Sequence, residues 1–313
     1  MTSQPSLWLM LSSAVLYGVC SGSMNFLNKF LLTSWSFEHP ACMILGQLLL
    51  LVTTLKSLHL LGRIELVKYD FPTARSCALL SFLFAANTIM ALFALTGMNV
   101  PMYNAIRRCI PFASMVLGYI VFVKKPSALV FTSIMVVTSG TAIAAFGDLQ
   151  FDLKSYLYGI SSVLLMGLHL IVLQYNGTKK KLSAINQLYV NSINCIPIFG
   201  ILFAVNFHKL MEYEHLSEAQ FIISFMAVTG CGCLLNYTMF LCTTTNSALT
   251  TTCVGVIKSG FTTVIGMFLL GGVEPTVYFI TGQIINFSGG MLYSYAKYRE
   301  NIVLLYKPQT NGA

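Results

Sequence analysis

Three cations stand where a bilayer would make them costly: Arg107, Arg108 and Lys258 each interrupt a mostly apolar stretch. A Lys or Arg at the bilayer centre costs roughly 2.5–3.5 kcal/mol on insertion scales, so each implies a partner or a purpose. Lys258 lies about ten residues into its stretch, around 15 Å from the start at helical rise, too deep for easy snorkelling. It is expected to face an internal cavity, the alternative being a structural lysine on the carbonyls of a broken helix. Ser247 and Thr251 share its helical face, and Gly255 lets a ligand or another helix come close. Arg107 and Arg108 lie nearer an interface and point about 100° apart, so they do not grip one ligand equally. Arg107, on a face with Tyr103, Pro111 and Ser114, is favoured for the cavity.

No Asp or Glu lies deep in any apolar stretch. The missing negative charge is therefore assigned to the substrate, and Arg with Lys suits phosphate: Arg offers a planar fork, Lys a mobile point charge. The same lack argues against the carboxylate relays of proton-driven pumps. No nucleophile and base pair or metal set is apparent, so an enzyme is not expected, and neither a cofactor nor a metal is called for. Asn191 and Asn194, three apart on one helical face, suit either a base or sugar or interhelical glue. Asn87, Asn236 and Gln283 are read mainly as such glue, and His169 as a satisfied bundle histidine.

The elements that must position these groups are transmembrane helices. Of 313 residues, 56% are hydrophobic and only 9% charged, too little polar surface for a water-soluble globule. Apolar spans are expected at 7–32, 38–60, 76–97, 101–123, 127–146, 155–175, 185–207, 219–242, 247–271 and 275–297. The fold class is thus an all-α integral membrane protein of ten helices. It divides near Asp148 to Asp152 into five-helix halves at 1–147 and 148–300, with a cytosolic tail at 301–313. An odd number of spans per half makes the halves inverted repeats. Asn104-Ala105-Ile106-Arg107-Arg108 in span four and Gly255-Val256-Ile257-Lys258-Ser259 in span nine each set a cation after an isoleucine.

Charge is unevenly shared between the two sides. Lys56, Arg63, Lys68, Arg75, Lys124, Lys125, Lys179 to Lys181, Lys297, Arg299 and Lys307 fall on one side; Lys154 and Lys209, with Glu38, Asp148, Asp152, Glu212, Glu214, Glu218 and Glu274, fall on the other. By the positive-inside rule both termini are cytosolic. The net charge of +8 reflects this topology, not nucleic-acid binding. The sequon at Asn176 is then cytosolic, and those at Asn236 and Asn286 lie inside spans, so none is expected to carry glycan. All nine cysteines fall within or at the edges of spans, which argues against a disulfide framework.

The run Asn246 to Lys258 resembles the ninth helix of nucleotide-sugar transporters in the drug/metabolite transporter superfamily, most of all the subfamily handling UDP-glucuronate, UDP-N-acetylgalactosamine and related UDP-sugars. Pro101-Met102-Tyr103 before Arg107-Arg108, Asn28-Lys29, Leu188-Tyr189-Val190-Asn191 and Tyr293-Ser294-Tyr295 extend the likeness over nearly the whole chain. The resemblance implies a Golgi or ER antiporter that exchanges a nucleotide sugar for the nucleoside monophosphate, in contact with membrane lipid; a homodimer is compatible with it. GDP-mannose transporters of this fold use G-A-L-N-K in helix nine for sugar and phosphates and F-Y-N-N in helix seven for the base. Here Gly255 to Ser259 reads G-V-I-K-S and Tyr189 to Ser192 reads Y-V-N-S. The match puts Gly255, Lys258 and Ser259 beside sugar and phosphates, with Thr251 a candidate from its shared helical face, and Tyr189 with Asn191 near the base, and the departures fit a UDP-sugar better than a guanine nucleotide. Rival expectations are a carrier of another organic phosphate, and a transporter-fold scaffold or trafficking protein.

Overall fold

The computed structural model describes residues 6–97, 103, 106–123, 125–145, 153–270 and 276–306. Pro101, Met102, Asn104, Ala105, Lys124, Asp148, Asp152, Glu274 and Lys307, and with them the divide between the expected halves, lie outside the described residues. Ten long helices occur among the described residues: α1 (Leu7–Ser34), α2 (Pro40–Leu60), α3 (Ala78–Gly97), α4 (Ile110–Phe122), α5 (Ala128–Ala145), α6 (Leu153–Thr178), α7 (Ala184–Val205), α8 (Ala219–Thr245), α9 (Ala248–Leu270) and α10 (Val277–Tyr306). Short helical segments at Phe71–Ser76, Phe207–Met211 and Glu214–Ser217 fill the turns, and no strand occurs among these residues.

Five helices (α1, α2, α6, α7 and α8) are long and apolar enough to cross a membrane, and α3, α4 and α5 are shorter apolar helices. Trp8, Val15, Val19, Ile120 and Ile223 are exposed on the exterior, where water would penalise them and hydrocarbon would not. The chain is an all-helical membrane protein.

Hydrogen bonds at the two ends fix the helix directions. One end joins the starts of α1 and α9 to the end of α6: Asn246 Nδ2 donates to Met10 O (3.1 Å) and Ser13 Oγ (3.0 Å), and Ala248 N to Gln174 Oε1 (2.9 Å). At that end too, Lys180 Nζ donates to Ser76 O (2.9 Å) and Val67 N to Asn186 Oδ1 (3.1 Å). The other end joins the α1–α2 turn to the α7–α8 connection, with Tyr213 OH donating to Trp35 O at 2.5 Å. Within α1 to α3 and within α6 to α9, successive helices therefore run antiparallel, and Arg63, Lys68, Lys125 and Lys179 to Lys181 collect at the first end while Glu38, Glu212, Glu214 and Glu218 collect at the second.

Two helix ends share one turn. After α1, Phe37 N donates to Leu31 O (3.3 Å) across Ser36 at φ +48; after α6, Leu182 N donates to Asn176 O (3.2 Å) across Lys181 at φ +55. Both are Schellman closures, which satisfy orphan carbonyls through one left-handed residue.

Span four is not one continuous helix. Arg107 is helical, Arg108 and Cys109 form a turn, and α4 restarts with Pro111 in its first turn. Proline brings no N–H for the Arg107 carbonyl four residues back, so the chain breaks there and begins again. Pro197, by contrast, sits inside the unbroken α7.

Backbones approach closely where glycine permits. A Cβ on Gly140 would lie 2.7 Å from Asn286 N, and one on Gly282 would lie 2.6 Å from both Ala144 N and Gly140 O. Glycine thus sets the α5–α10 contact, as expected where lipid supplies no hydrophobic drive between helices. All nine cysteines are free.

Candidate functional site

Lys258 sits near the middle of α9, facing α1. Its Nζ donates to Ser21 O at 3.2 Å and to Asn25 Oδ1 at 3.3 Å. One turn earlier, a Cβ placed on Gly255 would meet nothing within 4 Å, so the space beside the lysine is open.

Arg107 approaches from the segment before α4. Its Nη1 donates to Tyr103 OH at 2.9 Å, and the guanidinium lies 5.5 Å from the centroid of the same ring, a cation–π pairing that holds its fork. Tyr103 is itself buried, fixed among Ala91, Ala94 and Ile106. The helix α9 that bears Lys258 packs on both α1, which bears Tyr17, and α4, which follows Arg107, so the three border one region. Among the described residues no carboxylate lies within 4 Å of Lys258 or Arg107, and the His208–Glu212 and His215–Glu218 contacts and the Lys297–Glu300 ion pair all sit toward helix ends. Two cations thus face a shared space with neutral partners only, and a bound anion would relieve their repulsion.

The other expected residues are placed elsewhere around this centre. Arg108 is buried and points to α10, where Nη1 donates to Gln283 Oε1; the two arginines diverge as their helical spacing requires. Ser259, half-buried, returns its hydroxyl to Val256 O (2.8 Å). Thr251 is fully buried toward α8, sharing a hydrogen bond with Thr243 Oγ1 (3.0 Å) and donating to Ser247 O (3.1 Å). Tyr189 is buried in the core cluster that also holds Tyr17, Leu188 and Phe240. Asn191 is 2% exposed, with the Cys195 thiol 4.0 Å from its Oδ1. Asn194 is glue: it accepts from Tyr69 OH (2.8 Å) and donates to Ala74 O (3.1 Å) and Ser81 Oγ (3.3 Å). His169 is fully buried, its Nδ1 donating to Leu80 O at 3.2 Å between the rings of Phe84 and Phe240.

Sequence reasoning missed the α1 wall of the site. Tyr17, Ser21 and Asn25 recur at every fourth position, and Ser21 and Asn25 supply the oxygens that Lys258 meets. A polar stripe at helical period in an otherwise apolar span was the available signal.

No family model matches the chain. It is 36% identical to UDP-galactose/UDP-glucose transporter 7 of Arabidopsis thaliana over 95% of this chain and 93% of that protein. With UDP-sugar transporter sqv-7 of Caenorhabditis elegans it shares 30% identity over 98% of this chain and 95% of the other. With a nucleotide sugar transporter of the mouse, SLC35D2, it shares 29% over 93% and 90%. A solved crystal structure at 11% sequence identity superposes with a TM-score of 0.66 over 92% of this chain and 99% of its own, a likeness of fold alone.

Proposed function

Because the chain belongs to the nucleotide-sugar transporter family, among the UDP-sugar transporters, we propose that it is an antiporter exchanging a UDP-sugar for UMP across a Golgi or ER membrane. The observation that carries the reading is the pair Lys258 and Arg107, converging from α9 and the pre-α4 turn with no carboxylate within 4 Å of either among the described residues. Lys258 holds one phosphate of the ligand and Arg107 another, with Tyr103 keeping the guanidinium aimed. Gly255 and Ser259 border the sugar. Tyr189 and Asn191 reach the base in the loaded state, when α7 shifts toward the cavity.

Ten spans in two inverted halves, 1–147 and 148–300, suit alternating access around this centre. Support comes from the paired Schellman turns after α1 and α6, whose left-handed residues Ser36 and Lys181 lie 145 positions apart (181 − 36). Helix pairings repeat likewise: α1 packs on α8 as α6 packs on α3, and α1 on α9 as α6 on α4. The basic end faces the cytosol, placing both termini there.

Exchange follows from the charge balance. An empty cavity holding two unneutralised cations resists closure, and an anion of either kind removes that cost, so the protein crosses the membrane loaded in both directions without a coupling ion. The test is ligand binding to purified protein: UMP and UDP-sugars raise its melting temperature, CMP and GMP do so less, and Lys258→Ala and Arg107→Ala each abolish the shift without unfolding the chain. Full shifts in both variants would remove the two cations from the site, and stabilisation by sugar phosphates in place of UMP would make the protein a carrier of another organic phosphate.

A further inference from the structure

A groove of about 1040 Å³ opens at the basic end of the bundle. It is separate from the cation site: Val254 marks its reach along α9, one turn short of Lys258, and neither Lys258 nor Arg107 lines it. The part of α10 between Tyr293 and Glu300 closes one side, and α1 and α4 form two further walls. Among the described residues each of these two packs on α9 and scarcely on the other, so between them runs a slot floored by α9.

The walls are mostly apolar, with Leu7, Leu11, Met115, Tyr119 and Phe122 among them, and also carry Ser114, Gln174, Asn246, Ser247 and Thr250. Leu11 and Tyr119 are 47% and 42% exposed on flanks that also bare Val15 and Ile120, so the slot opens sideways into hydrocarbon and not only toward water. Lys125, Lys179, Lys297 and Arg299 border the same groove. Among the described residues its one carboxylate, Glu300, is already engaged by Lys297 Nζ at 2.7 Å and by Ser127 Oγ at 2.6 Å. A nucleotide sugar placed here would find much of the polar lining already engaged, Asn246 with Met10 O, Gln174 with Ala248 N and Ser247 with Thr250. An acyl chain needs no hydrogen bonds, and a phosphate at the rim would meet Lys125, Lys179 and Arg299, none of which has a carboxylate within 4 Å among the ion pairs of the described residues.

We propose that this groove is a binding site for one anionic phospholipid, its acyl chain lying between α1 and α4 and its headgroup phosphate at the rim formed by Lys125, Lys179 and Arg299. A basic pocket between helices on the cation-rich side is the setting in which anionic headgroups are retained. The lipid completes the gap between α1 and α4 and ties both to α9, the helix that carries Lys258.

The test uses the full chain purified in mild detergent, with phosphatidylserine and phosphatidylcholine of the same acyl composition as probes and retained lipid counted by native mass spectrometry. Wild type is expected to keep one phosphatidylserine in preference to phosphatidylcholine. Lys125→Ala combined with Arg299→Ala, both exposed positions, weakens that retention by about fivefold per cation, so about 25-fold together. Leu11→Trp, which fills the slot from a half-exposed position, removes it with the rim intact. Equal retention of the two lipids, wild-type retention in both variants, or displacement of phosphatidylserine by millimolar UMP would each overturn the proposal, the last by making the groove a nucleotide vestibule.

Discussion

Lys258 and Arg107 were legible in the sequence because a charge in hydrocarbon has few inexpensive explanations, and neither has a carboxylate partner among the described residues. Thr251 was read onto the same helical face as Lys258 but lies seven positions away, about 10 Å along the axis, where α8 is the neighbour. Period alone reports direction and not depth. Asn25 and Ser21 escaped notice because small polar residues in a span read as interhelical glue until a cation is found beside them. On this arrangement Lys258→Ala loses a charge-assisted contact of about 2 kcal/mol, so UDP-sugar affinity falls roughly 30-fold. Lys258→Arg retains part of it, and equilibrium binding of labelled ligand measures both. Tyr103→Phe keeps the ring under Arg107 but removes its 2.9 Å hydrogen bond, and a smaller loss of affinity with unchanged thermal stability is expected.

Helix ends agree with the apolar runs to within a few residues over most of the chain, because each run is bounded by polar turns and, at α2, by Pro40 in its first turn. The break at Arg108 and Cys109 was not foreseen: 101–123 was read as one span, whereas Pro111 lies in the first turn of a new helix. Nor did the apolar pattern reveal which glycines touch. Gly282→Leu would drive its side chain into Ala144 N and Gly140 O, each 2.6 Å from the Cβ, with no flexible neighbour to yield. Loss of folded protein is the expected outcome, read as recovery after heating, while Gly200→Leu, where a Cβ meets nothing within 4 Å, is tolerated. At the α1–α2 turn, Ser36 holds φ +48, a conformation that favours glycine, so Ser36→Gly is expected to leave stability unchanged or raise it by up to about 1 kcal/mol, whereas Ser36→Val lowers the melting temperature.

For the molecule as a whole, the segregation of charge predicts which compartment each end meets. In sealed Golgi-derived vesicles with the cytosolic face outward, a cysteine at Arg63 reacts with an impermeant maleimide, and one at Glu212 reacts only after the membrane is opened. The reverse pattern would invert the assigned orientation. Composition made the membrane class plain, and the odd number of spans per half suggested inversion. The matching turns at Ser36 and Lys181 lay beyond sequence reasoning, since no residue type marks them: serine and lysine share neither size nor charge, and the likeness is in the backbone. The central claim, that the two cations make this protein an exchanger of UDP-sugar for UMP, is tested most directly in proteoliposomes. Uptake of radiolabelled UDP-galactose, UDP-glucose, UDP-N-acetylhexosamines and UDP-glucuronate is measured with UMP, CMP, GMP or nothing inside. Uptake of at least one UDP-sugar that requires internal UMP, and that disappears with Lys258→Ala, is the predicted result; uptake indifferent to the internal nucleotide, or equal in the variant, would contradict it.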